Sequence, residues 1–239
     1  MKGSSSIFFK LLLLRQAWLL RRGVWLAMLW LPIGMGCAAR PTSFDGDDSS
    51  GYAIFRSGRM NASELRALCD QGVEELVVMD GSAQDYECQM RDEVCPGLKV
   101  RYNHSQDVRQ PVTKGFLIAF DSWIEESRQD GRKIAFRCRH GWHRAGRLAA
   151  YYRIRFQGWR EDQAVGEMLE KGDWMDRYPQ LQPQALAMAE LTTSGGCSQV
   201  EEYCPRESPP ATEGMLDLQG RAVFVSDICS SDDGSQSSR

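Results

Sequence analysis

The residues with the clearest chemical potential lie in one short segment, residues 138–144, with the sequence CRHGWHR. Five residues separate Cys138 from Arg144, and Gly141 is the third residue after the cysteine. A glycine-containing loop of this kind can turn successive backbone N–H groups inward and bind an anion. We expect the cysteine to be a thiolate at the mouth of that nest and the arginine to bind two phosphate oxygens.

The flanking residues predict how this segment is positioned. The short apolar run 133–136 precedes it like a buried strand, and the alanine-rich amphipathic run 145–156 follows it like a helix. The anion nest is therefore predicted at a helix N-terminus, where the helix dipole favours negative charge. Strands alternate with helices over much of the chain, which favours an α/β domain with a largely parallel sheet.

Residues 138–146 resemble the signature loop of the cysteine-dependent protein tyrosine and dual-specificity phosphatases. The likeness extends over about residues 52–192 and includes the FRSG entry at 55–58, the strand before the cysteine and the helix after the arginine. The resemblance implies a three-layer fold with a central, mostly parallel sheet flanked by helices. It also implies a phosphatase that needs no cofactor and forms a phosphocysteine intermediate, with phosphoprotein as the leading substrate.

The implied reaction assigns roles to three residues. Cys138 attacks phosphorus, which divides one difficult displacement into two steps. Arg144 binds phosphate oxygens and stabilises the charge of the transition state. The leaving oxygen needs a proton from a carboxylic acid. We predict that Asp107 is this acid, because it lies in a loop between a strand and a helix about thirty residues before the cysteine, as in the family. Weaker candidates for the acid are Asp80, Asp85 and Asp121.

Two positions depart from the family pattern. Arg137 stands where the family has histidine, and Ala145 stands where it has serine or threonine. A hydroxyl at the second position normally hydrogen-bonds the sulfur and helps it leave in the second step. Slow turnover is therefore predicted, and Arg137 is interpreted as a residue that positions the loop.

The interior of the loop is basic and is predicted to bind substrate through Arg139, His140, Gly141, Trp142 and His143. One interpretation is a pocket for several phosphates, as in the inositol-phosphate and phosphoinositide branches of the superfamily. The alternative is that some of these side chains bind the scaffold, with Trp142 packing. The loop therefore leaves three functions open: a phosphoprotein phosphatase, a phosphatase of inositol phosphates or other small phosphoesters, and a non-catalytic phosphate-binding module.

A metal site is a further interpretation of the loop, because Cys138, His140 and His143 are all zinc-ligand types. The guanidinium of Arg144 would repel a cation, so no metal is predicted.

The first 36 residues differ from the rest of the chain. Basic residues precede the apolar run 24–35, and no acidic residue interrupts them, which is typical of a secretory signal peptide. The apolar run is short for a membrane span. Small residues lead into Cys37, which resembles the lipidation site of bacterial lipoproteins. We predict a membrane-anchored lipoprotein of the bacterial cell envelope, with an ordinary cleaved signal or an uncleaved anchor as alternatives.

The net charge and the cysteine content limit the choice of binding partners and of cellular compartment. A net charge of −3 over 239 residues argues against a general nucleic-acid binder. Apart from Cys37 and Cys138, six cysteines remain, and in an exported protein they suggest up to three disulfides: Cys69, Cys88, Cys95, Cys197, Cys204 and Cys229. Cys88 with Cys95, and Cys197 with Cys204, are close enough in sequence to close loops. Buried free thiols are the alternative.

The domain organisation follows from these patterns. We predict a signal peptide at 1–36, a flexible linker rich in Ser, Asp and Gly at 37–51, the phosphatase-like domain at 52–192 and an irregular tail at 193–239. Within the domain, residues 82–97 are predicted to be an irregular insertion.

Overall fold

The structure is a computed structural model that describes residues 40–47, 49–207 and 227–230. The predicted signal peptide, Cys37 and most of the tail lie outside the described residues. Among the helices that are described, none is both long and apolar enough to cross a membrane.

The core element is a five-stranded sheet in the order β1-β2-β5-β3-β4. Its strands are β1 (Thr42–Asp47), β2 (Tyr52–Ser57), β3 (Val73–Val78), β4 (Lys99–Asn103) and β5 (Lys133–Arg137). β1 pairs antiparallel with β2, and the other three pairings are parallel. β5 is therefore the central strand, and its carboxyl end lies between those of β2 and β3.

Helices surround this sheet. They are α1 (Ala62–Asp70), α2 (Glu87–Val94), α3 (Lys114–Asp130), α4 (Arg144–Gln157), α5 (Glu161–Glu170) and α6 (Leu181–Ser194). Asn61 and Glu64 form a capping box at the start of α1. α3 and α4 end at Gly131 and Gly158, which both adopt the left-handed conformation that glycine tolerates.

Two hydrophobic cores lie on opposite faces of the sheet. Within β5, Ile134 and Phe136 belong to one core and Ala135 to the other, as the alternation of side chains along a strand requires. The first core contains α3 and α4 residues such as Trp123 and Tyr151, whereas the second contains α1 residues. The predicted three-layer α/β fold is therefore confirmed.

Two segments differ from the sequence predictions. The stretch predicted to be a flexible linker contains β1, whose backbone completes one edge of the sheet. The stretch predicted to be an irregular insertion contains α2. Both segments are polar, and their order comes from pairing and cross-links that local sequence patterns do not reveal.

The described cysteines form three disulfides, Cys69–Cys95, Cys88–Cys229 and Cys197–Cys204. The predicted Cys197–Cys204 link is confirmed, but the link between Cys88 and Cys95 is wrong. These two cysteines lie at opposite ends of α2, where each meets a partner from another part of the chain.

Candidate active site

The signature loop, residues 138–144, connects the central strand to a helix. β5 ends at Arg137, and α4 begins at Arg144. Cys138 therefore lies at the carboxyl edge of the sheet. Cys138 is 2% exposed, and it is the free cysteine of the described chain. Gly141 has a φ of 78°, which a side chain would strain, so the turn depends on glycine at this position.

The carbonyl groups of the loop are bound by the scaffold. The Nε of Arg56, on β2, donates to the carbonyl of Gly141 at 2.7 Å, and its Nη2 donates to that of Trp142 at 3.4 Å. The backbone N–H of Arg59 donates to the carbonyl of Arg139 at 3.1 Å. Burial lowers the pKa of Arg56, and the nearby charges of Cys138 and Glu167 oppose that shift.

The N–H groups of the same loop remain available. Within the described chain, the backbone N–H groups of residues 139–143 donate no hydrogen bond to any other residue. Free N–H donors in a turn are what an anion nest requires, and the nest stays a prediction. The loop lies at the N-terminus of α4, a helix of 14 residues, where the dipole would add to the attraction of an anion.

The guanidinium of Arg144 is held by two hydrogen bonds from its Nη1 atom. Its Nη1 donates to the carbonyl of Met79 at 2.9 Å and to that of Gln106 at 3.2 Å. Its Nε is buried and has no hydrogen-bond partner among the described residues. A buried donor without a partner is costly. The two bonds from Nη1 orient the side chain, and Nε is a donor that the described residues leave without a partner.

The loop that carries Asp107 is fixed next to this arginine. Arg147, on α4, is buried and donates to the carbonyl of Gln110 at 2.8 Å and to the Oε1 of Gln106 at 3.2 Å. Burial, together with the charge of Arg144, lowers the pKa of Arg147 to about 10. Asp107 itself is exposed, and its Oδ1 accepts a hydrogen bond from the backbone of Arg109 at 2.8 Å.

The other aspartates lie elsewhere. Asp121, on α3, accepts hydrogen bonds from Tyr151 and Arg155. Asp80 is an ion-pair partner of Arg137, and Asp85 is exposed in the turn before α2. Arg144 contacts the carbonyl of Met79, next to Asp80, as well as that of Gln106, next to Asp107. Asp107 remains the predicted acid because it is exposed, whereas the side chain of Asp80 is buried and already paired with Arg137.

The predicted substrate-binding residues face different surroundings. Arg139 is exposed, and His140 is half-buried with its ring stacked on Trp142, at 5.7 Å between centroids. His143 is 9% exposed, and its Nε2 bonds the carbonyl of Asp173 at 2.9 Å. Its ring also packs on Tyr178. His143 thus contacts the scaffold, whereas Arg139 and His140 lie at the surface of the loop.

Both loop histidines are biased toward the neutral form. Burial lowers the pKa of His140, and the positive charges of Arg139 and Arg144 lower it further. Burial also lowers the pKa of His143, against the opposing effect of its bond to Asp173. Among the described residues, no group of three His, Cys, Asp or Glu side chains is arranged to hold a metal ion.

The two departures from the family pattern have different surroundings. Ala145 is fully buried at the first turn of α4, so that position supplies no hydroxyl to the sulfur. Arg137 is also fully buried, and it forms ion pairs with Asp80 and with Glu87. Sequence reasoning missed Glu87, because it lies in the segment predicted to be irregular. The unusual basic residue before Cys138 was the one signal that a buried acidic partner exists.

Comparisons with solved structures found chains with a similar fold. A mutant form of Tk-PTP matches with a TM-score of 0.51 at 20% identity, over 65% of this chain and 97% of that chain. TpbA from P. aeruginosa in complex with phosphotyrosine matches with a TM-score of 0.46 at 20% identity, over 64% of this chain and 96% of that one. PTPMT1 in complex with PI(5)P matches with a TM-score of 0.39 at 14% identity, over 57% and 94%.

At these identities the likeness concerns the fold. Comparisons with protein-family profiles and with curated proteins found no match.

Proposed function

We propose that this chain is a phosphatase that hydrolyses phosphomonoesters through a phosphocysteine intermediate, with phosphorylated protein as the leading substrate class. The observation that carries the proposal is Arg144. One edge of its guanidinium is fixed by two carbonyl groups, while its buried Nε has no partner among the described residues. A nest of unused N–H groups and the free thiol of Cys138 lie in the same loop.

The proposed reaction has two displacements. The Cys138 thiolate attacks phosphorus, the bond to the ester oxygen breaks, and Asp107 donates a proton to that oxygen. Water then attacks the phosphocysteine and loses a proton to the Asp107 carboxylate. The P–S bond breaks, which regenerates the thiolate and releases inorganic phosphate. Arg144 and the loop N–H groups stabilise the charge on the phosphoryl oxygens in both steps.

The test is hydrolysis of an aryl phosphate by the wild type and by Cys138→Ser. The two proteins should bind phosphate similarly, because Arg144 and the N–H groups of the loop are retained. Only the wild type should turn over. Equal hydrolysis by the two proteins would overturn the proposal.

A second candidate is the same chemistry on inositol phosphates. It is favoured by exposed Arg139, which gives the loop surface positive charge beyond what one phosphate needs, and by half-buried His140, whose ring nitrogens can bond a further phosphate oxygen. Comparing a phosphotyrosine peptide with inositol hexakisphosphate separates the two substrate classes. For a polyphosphate substrate, Arg139→Ala should raise KM much more than it does for the peptide.

A non-catalytic phosphate-binding role is the third candidate, favoured by the buried Ala145. It predicts phosphate or vanadate binding by the wild type with no hydrolysis in any substrate class.

We extend the proposal to an exported location with lipid anchoring at Cys37. The three disulfides support the exported location, since such bonds persist in oxidising compartments. The support for the anchor is the run of small residues that leads into Cys37. Metabolic labelling with palmitate tests the anchor: the wild type should be labelled and recovered in membranes, whereas Cys37→Ala should be unlabelled. An unlabelled wild type would reject the lipoprotein assignment.

A further inference from the structure

A buried ion pair lies directly behind the signature loop. Arg137 ends β5 and Glu87 begins α2, and both side chains are fully buried. The Nε of Arg137 donates to one carboxylate oxygen of Glu87 at 2.8 Å, and its Nη2 contacts the other oxygen. Its Nη1 binds Asp80. Since a buried charge needs a partner, these two carboxylates fix the orientation of the guanidinium.

The first connection from this pair to the active site passes through Met79. The carbonyl of Arg137 accepts a hydrogen bond from the N–H of Met79 at 3.0 Å. The carbonyl of Met79 in turn accepts the Nη1 of Arg144 at 2.9 Å. Arg137 also precedes Cys138 in the chain. A shift of Arg137 would therefore move both ends of the loop: Cys138 through the chain itself, and Arg144 through Met79.

The second connection passes through Asp80. Its carboxylate accepts the Nη2 of Arg59 at 3.1 Å as well as the guanidinium of Arg137. The backbone N–H of Arg59 donates to the carbonyl of Arg139 inside the loop, at 3.1 Å. Burial alone would raise the pKa of Asp80, but Arg137, Ser82 and Arg59 lower it below its usual value. Asp80 thus binds both Arg137, which belongs to the buried ion pair, and Arg59, whose backbone binds the signature loop.

The helix that begins with Glu87 is cross-linked at both ends. Cys88 is bonded to Cys229 with a Cα–Cα distance of 5.2 Å, and Cys95 is bonded to Cys69 at 5.8 Å. α2 has only eight residues and no side-chain cap at its N-terminus. A helix this short is marginal by itself. Its covalent links therefore contribute to holding Glu87 at Arg137.

We propose that Glu87 is a positioning residue of the signature loop, acting through Arg137, and that the two disulfides flanking α2 hold it in place. This inference rests on the proposed phosphatase function, because it concerns the same loop. The third disulfide, Cys197–Cys204, joins residues seven apart in the tail and offers a matched control.

The first readout does not require turnover. Iodoacetate alkylation of Cys138, followed over pH by mass spectrometry of its peptide, reports how well the loop stabilises the thiolate. Glu87→Gln should move the midpoint of alkylation to higher pH. For an aryl phosphate, kcat should fall about tenfold to a hundredfold, as expected for a misplaced catalytic group, with a smaller change in KM. A purely structural role would lower thermal stability and leave the alkylation midpoint unchanged.

The second readout compares disulfides. The double variants Cys88→Ala/Cys229→Ala and Cys69→Ala/Cys95→Ala should shift the alkylation midpoint in the same direction as Glu87→Gln. The control Cys197→Ala/Cys204→Ala should behave like the wild type. If Glu87→Gln does not fold, Glu87→Asp, which keeps the charge but shortens its reach, replaces it in both measurements.

The outcomes separate the two proposals. A folded Glu87 variant with a wild-type alkylation midpoint and kcat would overturn the positioning role, as would a control disulfide variant affected as strongly as the flanking ones. If the wild type hydrolyses no phosphoester but its alkylation midpoint still depends on Glu87, the positioning role stands and the phosphatase function fails.

Discussion

Substitution of Arg144 gives the most specific test of the site, because the Nη1 atom of its guanidinium is already hydrogen-bonded to the protein. Two carbonyl groups bind its Nη1, so a phosphate would meet the other edge, which includes the unpartnered Nε. Arg144→Lys keeps the positive charge but loses the planar fork that can give two parallel bonds to phosphate. The substitution therefore tests geometry rather than charge.

The expected loss follows from these bonds. A hydrogen bond to a charged group contributes about 1.5–3 kcal/mol, so two of them contribute about 3–6 kcal/mol. That range corresponds to about 10²- to 10⁴-fold in rate. Because lysine can restore one of the two contacts, we expect a loss near the lower end, about a hundredfold in kcat/KM.

The assay is steady-state hydrolysis of an aryl phosphate, together with calorimetric binding of vanadate. Arg66→Lys is a matched control, because Arg66 is exposed on α1 and distant in sequence from the loop. The control should retain wild-type values. A folded Arg144→Lys protein that loses less than fivefold in both kcat/KM and vanadate affinity would refute the bidentate role of this arginine.

Three further predictions follow from other residues of the site. Asp107→Asn should lower kcat most for substrates with poor leaving groups and least for nitrophenyl phosphate; an equal loss for both would reject Asp107 as the acid. Ala145→Ser restores a hydroxyl near the sulfur and should accelerate breakdown of the intermediate about tenfold, the size of one hydrogen bond to a charged group; single-turnover kinetics measure this step. Because burial holds the pKa of His143 below its unfolded value, the folded protein binds fewer protons, so the free energy of unfolding should fall as pH decreases through about 6.5. Urea titrations over this range should show a shallower fall in His143→Gln, and an identical slope would contradict the assignment.

Parts of the fold are encoded by local sequence patterns and can be read from them. The helix start at Asn61 depends on its own side chain and on Glu64 three residues later, and the helix ends at Gly131 and Gly158 depend on residues that tolerate a positive φ. The signature loop was predictable for the same reason, since the nest, the cysteine and the arginine lie within a few residues of each other.

The contacts that hold the loop in place were not predictable, because they join distant parts of the chain. Arg56 binds the carbonyl of Gly141 across 85 residues, and Arg137 binds Glu87 across 50. The partners of Cys88 and Cys95 depend on which elements meet in space, so the shortest separation in sequence gave the wrong pairing. β1 forms within a polar stretch because β2 offers it a free edge.

The central claim is a covalent phosphoryl group on Cys138. It is tested most directly by acid-quenching the protein during turnover of an aryl phosphate and locating the phosphoryl group by mass spectrometry. Since Ala145 supplies no hydroxyl to the departing sulfur, the intermediate should break down slowly and accumulate on Cys138. Cys138→Ser, which has no sulfur at this position, should form no phosphocysteine and should not hydrolyse the aryl phosphate. Sustained hydrolysis by the wild type without phosphorylated Cys138, or hydrolysis that persists in Cys138→Ser, would contradict the account.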